Sequence, residues 1–359
     1  MTRRSRGWLA AGTAAVVLLT SGGCLGHSND KWKEPTNGQT EVLLNAEAGH
    51  AGSAGSAWLG FDGAPDGLAA GPDGRVYGLS ASLVVIEKDH TAKSILDDEV
   101  HSAGGLMLIV QSENSFVVGK GGQVLRMQAD GKSFVLAGTP GKSRKLGQPV
   151  PETAAAKDYH FSDYLPHPFG TRPDGSILFS EGDVIWQLKA GRLTRVYQAP
   201  RERNAPGKSG RAVIGDGSAV DQSGTVFARI SADQTSEKLG EVVAIHQDGS
   251  TAKLSFPPRI TGVTEEPAAL DVTWMTGDDG NGVYVRAAGH LVDYVFHMAS
   301  GKAKLVAKAP HRTSHSDCRE GRSVDSLKLP CPMPWAVAYS PEGLIMAGNA
   351  PFVLKVATK

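Results

Sequence analysis

The chain has 359 residues, with 37 lysines and arginines against 37 aspartates and glutamates, so its formal net charge is zero. A chain without excess charge has no overall electrostatic attraction to nucleic acid or to an anionic surface, so we predict no nucleic-acid partner. Its length alone would allow two domains, but a closed all-β fold of this size is often a single domain.

The N-terminal segment has the pattern of a secretory signal. Three arginines within the first six residues precede the apolar run Trp8–Thr20, and small residues follow it. This run is shorter than the roughly 20 apolar residues that a membrane-spanning helix needs. We therefore predict a signal peptide over residues 1–23 and an exported protein. Removal of this peptide would leave a net charge near −3.

Cys24 follows Ser21-Gly22-Gly23, and this short sequence resembles the lipobox of bacterial lipoproteins. The resemblance implies that Cys24 becomes the lipidated first residue and anchors the protein to the outer face of the cell membrane. An ordinary secreted protein is the alternative. Residues 24–39 are polar and lack an apolar period, so we predict a tether between the anchor and the first strand.

Two further cysteines, Cys318 and Cys331, lie close together near the C-terminus. In an exported protein the oxidising environment makes a disulfide the first interpretation of such a pair. A zinc site is the alternative, since His311, His315 and Asp317 are nearby in the sequence.

A pattern of strand, glycine turn and strand recurs about six times along the chain. It includes the turns Pro72-Asp73-Gly74, Pro173-Asp174-Gly175, Ser223-Gly224 and Glu342-Gly343. A repeat of about 50 residues that contains only strands is typical of a β-propeller. We predict an all-β, six-bladed β-propeller over residues 40–359, with four antiparallel strands per blade; seven blades are the alternative. The predicted blades are 67–97, 105–138, 169–198, 217–256, 269–308 and 334–358.

The last predicted blade has only three strands before the chain ends. An isolated strand pattern at 40–45, Thr-Glu-Val-Leu-Leu-Asn, precedes the first blade. Pairing this strand with the last blade would remove two open sheet edges. We therefore predict that the N-terminal strand closes the ring.

The segments Ala137–Gly141, Pro166–Gly170 and Pro173–Gly175 resemble the NHL-repeat family, in which an AGTPG strand end precedes a loop and a PDG turn. The resemblance implies a propeller of the NHL type. It implies little about activity, because this fold carries unrelated functions.

The connections between consecutive predicted blades are long, whereas the turns within the blades are short. Long loops often carry function, so we predict that these connections form a binding face; the alternative is that they only cap the channel mouth. The candidate binding residues combine basic and aromatic side chains: Arg144, Tyr159, His160, Tyr164, His167, Arg201, Arg203, Arg211, Arg312 and Arg319.

Four tryptophans recur near predicted strands: Trp58, Trp186, Trp274 and Trp335. Large rings fill the space between sheets, so we predict that these residues pack between blades. A stacking site for a sugar on Trp58 or Trp335 is the alternative.

Two enzyme classes with similar propellers are alternatives. A gluconolactonase-like enzyme would hold a divalent cation in the channel, with Asp66, Asp221, Asp271 and Asn349 as candidate ligands. A streptogramin-lyase-like enzyme would use a histidine base such as His160, His167 or His297. Neither set forms a recognisable catalytic constellation in the sequence. We predict a binding module rather than an enzyme, without a cofactor. We expect a monomer that binds a protein, a glycan or a small molecule.

Overall fold

The computed structural model describes residues 35–45, 67–79, 82–88, 91–96, 108–141, 143–146, 148–200, 213–215, 217–231, 241–314, 317–348 and 352–358. The chain divides into two units, Met1–Lys33 and the compact Glu34–Lys359. The first unit, which includes Cys24, lies outside the described ranges. The described ranges contain no α-helix and two short 3-10 turns, Pro267–Ala269 and Ser326–Lys328. No helix in these ranges has the length and hydropathy needed to cross a membrane.

The strands of the N-terminal half form three antiparallel sheets and contribute one strand to a fourth. The first strand is β1 (Gln39–Asn45), which belongs to the last sheet. The first blade contains β2 (Gly67–Ala70), β3 (Val76–Leu79), β4 (Leu83–Ile86) and β5 (Ala92–Leu96). The second contains β6 (Leu108–Ser112), β7 (Ser115–Lys120), β8 (Gln123–Gln128) and β9 (Ser133–Ala137). The third contains β10 (Thr153–Ala155), β11 (His167–Thr171), β12 (Ile177–Glu181), β13 (Val184–Lys189) and β14 (Arg192–Gln198).

The C-terminal half supplies the other three sheets. The fourth blade contains β15 (Val213–Ile214), β16 (Ala219–Val220), β17 (Val226–Ser231), β18 (Glu241–Ile245) and β19 (Thr251–Leu254). The fifth contains β20 (Asp271–Gly277), β21 (Gly282–Ala288), β22 (Val292–Ala299) and β23 (Lys302–Pro310). The sixth contains β24 (Ser323–Asp325), β25 (Ala336–Ser340), β26 (Gly343–Ala347) and β27 (Phe352–Val356), together with β1. The prediction of a six-bladed propeller is confirmed.

The two ends of the disc carry different connections. Because consecutive strands of a blade are antiparallel, the first and third turns of each blade lie at one end, here called the short-turn face. The second turns and the connections between blades begin at the other end, here called the long-loop face. The short turns follow the local chemistry of the sequence: the Asp174 carboxylate accepts a hydrogen bond from the Ser176 backbone N–H at 3.0 Å, and Gly175 takes a φ of 79°.

The hydrophobic core is divided into six clusters, and each cluster lies between two neighbouring blades. Between the second and third blades, for example, Phe161 packs edge-on against Phe179, and Trp186 is fully buried beside them. A single blade would expose both of its apolar faces, so each blade depends on its two neighbours. Trp186 thus packs between blades as the sequence predicts.

The N-terminal strand closes the ring, as predicted. β1 pairs with β27 over the register from Thr40 opposite Val356 to Asn45 opposite Phe352. Leu44 is fully buried in the core between the last and first blades. Backbone pairing and side-chain burial therefore hold the two ends of the propeller together.

Three blades have five strands instead of the predicted four. In the fourth blade, β15 and β16 both pair with β17, whereas in the third and sixth blades the additional strand lies at the outer edge. β10 pairs with the outer strand β14, and β24 pairs with β1. Both strands come from long connections between blades, which therefore extend along the outer edges of the disc as well as over the long-loop face. The added strands cover outer edges that would otherwise be open.

The predicted disulfide is confirmed. Cys318 is bonded to Cys331, with 5.6 Å between their Cα atoms. The side-chain amide of Asn45, at the end of β1, donates a hydrogen bond to the Cys318 carbonyl. The bridged connection is thereby tied to the closing strand. Because both sulfurs are bonded to each other, the alternative of a zinc site on these thiolates is excluded.

Leu44→Ala should lower the free energy of unfolding by about 2–5 kcal/mol, because it leaves a cavity where the ring closes. Leu327→Ala is a matched control, since Leu327 is an exposed leucine in the connection that leads into the same blade. Urea unfolding of the two variants measures the difference. Equal stability of both variants would contradict the role assigned to β1.

Candidate functional site

The central channel is lined by the inner strands of all six blades and encloses about 440 Å³. Its lining includes Val110, Phe169, Val220 and Val337, together with the hydroxyl groups of several neighbours. A hard cation needs several converging oxygen ligands. In the part of the chain that the structure describes, no group of three or more His, Cys, Asp or Glu side chains could hold a metal ion.

The candidate cation ligands of the sequence analysis do not converge. Asp221 is buried and accepts hydrogen bonds from the Ser223 hydroxyl at 2.6 Å and the Thr225 backbone N–H at 2.9 Å, so its carboxylate holds a turn. Asp66 and Asn349 lie outside the described residues. Asp271 lies at the long-loop end of the inner strand β20.

Asp271 has an unusual environment at this end of the channel. It is half-buried, and its Oδ1 atom is enclosed without a hydrogen-bond partner. Burial raises the pKa of this carboxyl, and the positive charges of Arg229 and Arg286 offset the increase only in part. A buried polar atom without a partner costs about 1–3 kcal/mol, so this arrangement is unfavourable for the isolated protein.

Arg286 makes hydrogen bonds to three residues of this region. It is buried, and its guanidinium donates to the Pro334 carbonyl at 2.7 Å, the Thr273 hydroxyl at 2.7 Å and Asp293 Oδ2 at 2.9 Å. The other oxygen of Asp293 lies 3.1 Å from His311 Nε2. One arginine thus connects the fifth blade to the segment that leads into the sixth.

Trp335 directly follows the segment held by Arg286. Its side chain is 58% exposed, although its backbone packs closely against Gly348. A Cβ atom on Gly348 would lie 3.0 Å from the Trp335 nitrogen, so a larger residue there would displace the tryptophan. The structure therefore holds a large aromatic ring in solvent on a fixed backbone. The prediction that Trp335 packs between blades is wrong.

We call Arg229, Asp271, Arg286 and Trp335 the mouth cluster. Arg229 reaches it from the fourth blade, where its guanidinium lies against Gly215 and donates to the Val272 carbonyl at 3.4 Å. Its Nε atom is buried without a partner. The mouth cluster thus combines an exposed ring with half-buried donor and acceptor groups from three adjacent blades.

Arg144, a predicted binding residue, belongs to a buried ion-pair network. Its guanidinium lies 2.7 Å from Glu181 Oε2 and 2.9 Å from Asp183 Oδ1, and all three side chains are almost fully enclosed. Burial raises the pKa of Glu181, and the charge and hydrogen bond of Arg144 offset the increase only in part. The network fixes the connection between the second and third blades onto the third blade.

The aromatic and histidine residues of the same connection divide between core and surface. Tyr159 packs edge-on against Trp186 and Phe161, so its ring belongs to the core. Tyr164 is half-buried, and His167 lies in β11. His160 is exposed.

The remaining five predicted binding residues are all arginines. Arg312 and Arg319 are exposed on the connection between the fifth and sixth blades. Arg201, Arg203 and Arg211 lie outside the described residues. The structure does not bring the described members of the predicted set into one group.

His297, a candidate base, is part of a turn on the short-turn face. Its Nε2 atom lies 2.7 Å from Asp278 Oδ2, and Asp278 Oδ1 accepts hydrogen bonds from the Gly280 and Gly282 backbone N–H groups. Lys189 makes the corresponding contact with Asp174 in the third blade, at 2.7 Å. The His297–Asp278 pair is therefore the local form of a contact that stabilises turns.

Sequence reasoning missed Arg229 and Arg286 because both lie inside strands rather than loops. Asp271 is among the candidate residues that the sequence indicates, but as a ligand of a divalent cation. The available signal was the presence of an arginine within an otherwise apolar strand, as in Val283-Tyr284-Val285-Arg286, since a buried charge requires partners.

Comparisons with known proteins bear on the fold. No protein-family model matches the chain, and no curated protein matches it in sequence. A protein of unknown function from Bacteroides thetaiotaomicron has a similar structure, with a TM-score of 0.55 and 12% identity over 83% of this chain and 70% of that one. A protein described as a "putative gluconolactonase" gives a TM-score of 0.50 and 13% identity over 90% and 93% of the two chains.

A calcium-binding protein, regucalcin from Agrobacterium tumefaciens, has a TM-score of 0.47 and 10% identity over 82% of this chain and 93% of that one. The two matches with TM-scores of 0.55 and 0.50 show the propeller fold, and at 12–13% identity they do not extend to chemistry.

Arg144→Met should lower the free energy of unfolding by about 3–5 kcal/mol at pH 7.5, because it leaves two buried carboxylates uncompensated. Lys145→Met is the matched control, since Lys145 is the adjacent, exposed residue. The pKa of Glu181 lies above its usual value of 4.5, and protonation relieves the burial of its charge. The deficit should therefore shrink as the pH falls through this raised pKa. Equal urea midpoints for the two variants at pH 7.5 would contradict the assignment.

Proposed function

We propose that this protein is an exported lipoprotein of the cell envelope whose propeller binds a ligand through its long-loop face. The observation that carries the proposal is Trp335, whose ring is held in solvent while its backbone is fixed by Arg286 and Gly348. Exposed aromatic residues on rigid segments are common anchors in binding sites, because little conformational entropy is lost on binding.

The position of the first described residues supports this use of the long-loop face. Pro35 lines a cavity of about 470 Å³ together with Gly74 and Glu342, which belong to short turns of the first and last blades. The chain therefore joins the propeller at the short-turn face. A tether of about 15 residues between Cys24 and Gln39 reaches at most about 50 Å. An anchor at Cys24 would thus keep the propeller within about 50 Å of the membrane, with its attachment at the end opposite the long-loop face.

A metal-dependent lactonase is less well supported by the same observations. Asp221 is engaged in a turn, and Asp271 lies beside arginines, whose charge opposes the binding of a cation. The described residues of the channel therefore favour a binding site over a metal-assisted one.

Benzoylphenylalanine in place of Trp335 should give a discrete photo-crosslinked product in intact envelopes, because the ring lies at the proposed binding surface. The same replacement at Phe134 is the matched control, since Phe134 is 49% exposed in an outer strand of another blade. Electrophoresis and blotting of the irradiated envelopes detect the products. Identical products at both positions, or none at Trp335, would refute the proposed face.

Cys24→Ala should release the protein from the membrane fraction, because it removes the proposed site of lipid attachment. Fractionation of cells followed by blotting tests this, with the wild-type protein as the reference. A variant that stays in the membrane fraction after a salt wash shows that Cys24 is not the anchor.

A further inference from the structure

In the part of the chain that the structure describes, no residue donates a hydrogen bond to the Asp271 carboxylate. Oδ1 is enclosed without a partner, while the residue as a whole is only half-buried, which leaves the rest of the carboxylate accessible. Carboxylates in such positions normally accept several hydrogen bonds. Since Oδ1 is enclosed, a hydrogen-bond donor from outside the protein can reach this carboxylate only through its accessible part.

Arg229 presents the complementary group. The residue is half-buried, its Nη1 atom donates to the Val272 carbonyl beside Asp271 at 3.4 Å, and its charge acts on Asp271. A ligand that satisfies both residues has to donate to a carboxylate and offer an acceptor to a guanidinium within a short distance. Hydroxyl groups do both, because each carries one donor and two acceptor lone pairs.

The exposed ring of Trp335 belongs to the same region, since Arg286 contacts Pro334 and its charge acts on Asp271. Among the described residues, the exposed large apolar side chains are Phe134, Leu291, Leu327 and Trp335, and they come from separate elements. Protein interfaces have an apolar centre of several side chains. A single flat ring beside polar groups fits a sugar ring better than a protein surface.

We propose that the mouth cluster is a carbohydrate-binding subsite. One pyranose ring stacks on Trp335, and its hydroxyl groups donate to Asp271 and accept from Arg229. Arg286 is a positioning residue, because it holds the segment that carries Trp335. This inference rests on the proposed ligand-binding role of the long-loop face and names the chemical class of the ligand.

The test uses the purified full-length protein in detergent on an array of defined neutral and acidic oligosaccharides. The wild type should be retained by at least one class. Trp335→Ala should weaken this binding about tenfold or more, as expected for an anchor residue. Asp271→Asn should weaken it about fivefold or more, as expected for the loss of a charge-assisted hydrogen bond. Phe134→Ala should leave the binding unchanged.

Thermal unfolding of the variants separates binding from folding. Asp271→Asn should be as stable as the wild type or more stable, because it removes a buried charge that has no hydrogen-bond donor. Loss of both binding and stability in this variant would assign Asp271 a structural role and overturn the proposal.

Two further results would also overturn it: no retention of any oligosaccharide, or retention that is the same in the wild type and in Trp335→Ala. The proposed function is judged separately by the crosslink at position 335. A crosslinked product that proteases digest, combined with no oligosaccharide binding, would keep the binding face and replace the sugar by a protein partner.

Discussion

The structure depends on the pairing between β1 and β27, because this pairing closes the ring of blades. Each of the six core clusters lies between two blades, so a ring with one gap would expose two apolar sheet faces. Closure by a strand from the other end of the chain fills that gap with backbone hydrogen bonds and with the buried side chain of Leu44. The disulfide-bridged connection strengthens the same junction through β24 and Asn45.

The long-loop face is ordered by buried arginines. Arg144 holds one connection through Glu181 and Asp183, and Arg286 holds another through Pro334 and Asp293. A planar guanidinium can bind several acceptors at fixed angles, so it suits a junction between a blade and a loop. These junctions tie the connections to the blades, and one of them holds Pro334, which directly precedes the exposed Trp335.

Much of the fold could be predicted from the sequence because hairpin turns leave strong local signals. The Pro-Asp-Gly turns marked the blades, and the three-strand count of the last blade identified Thr40–Asn45 as its missing strand. The fifth strands could not be predicted, since Thr153–Ala155 and Ser323–Asp325 are too short to show a period. The site was harder to predict. Arg144 is of a residue type common in ligand-binding sites, but its partners Glu181 and Asp183 are distant in sequence. The exposure of Trp335 depends on its contact with the backbone of Gly348, which is also distant in sequence.

Closure by β1 also has a consequence for the order in which the protein can fold. Thr40 and Val356 are paired although roughly 300 residues separate them, so the first strand of the propeller to be synthesised has no partner until the last blade has been synthesised. Contacts between such distant segments are slow to form, because the ends of a long chain must first meet. The N-terminal blades can collapse early, whereas the apolar strand at their start must wait. During that interval it is the part of the propeller most exposed to wrong pairing with other chains.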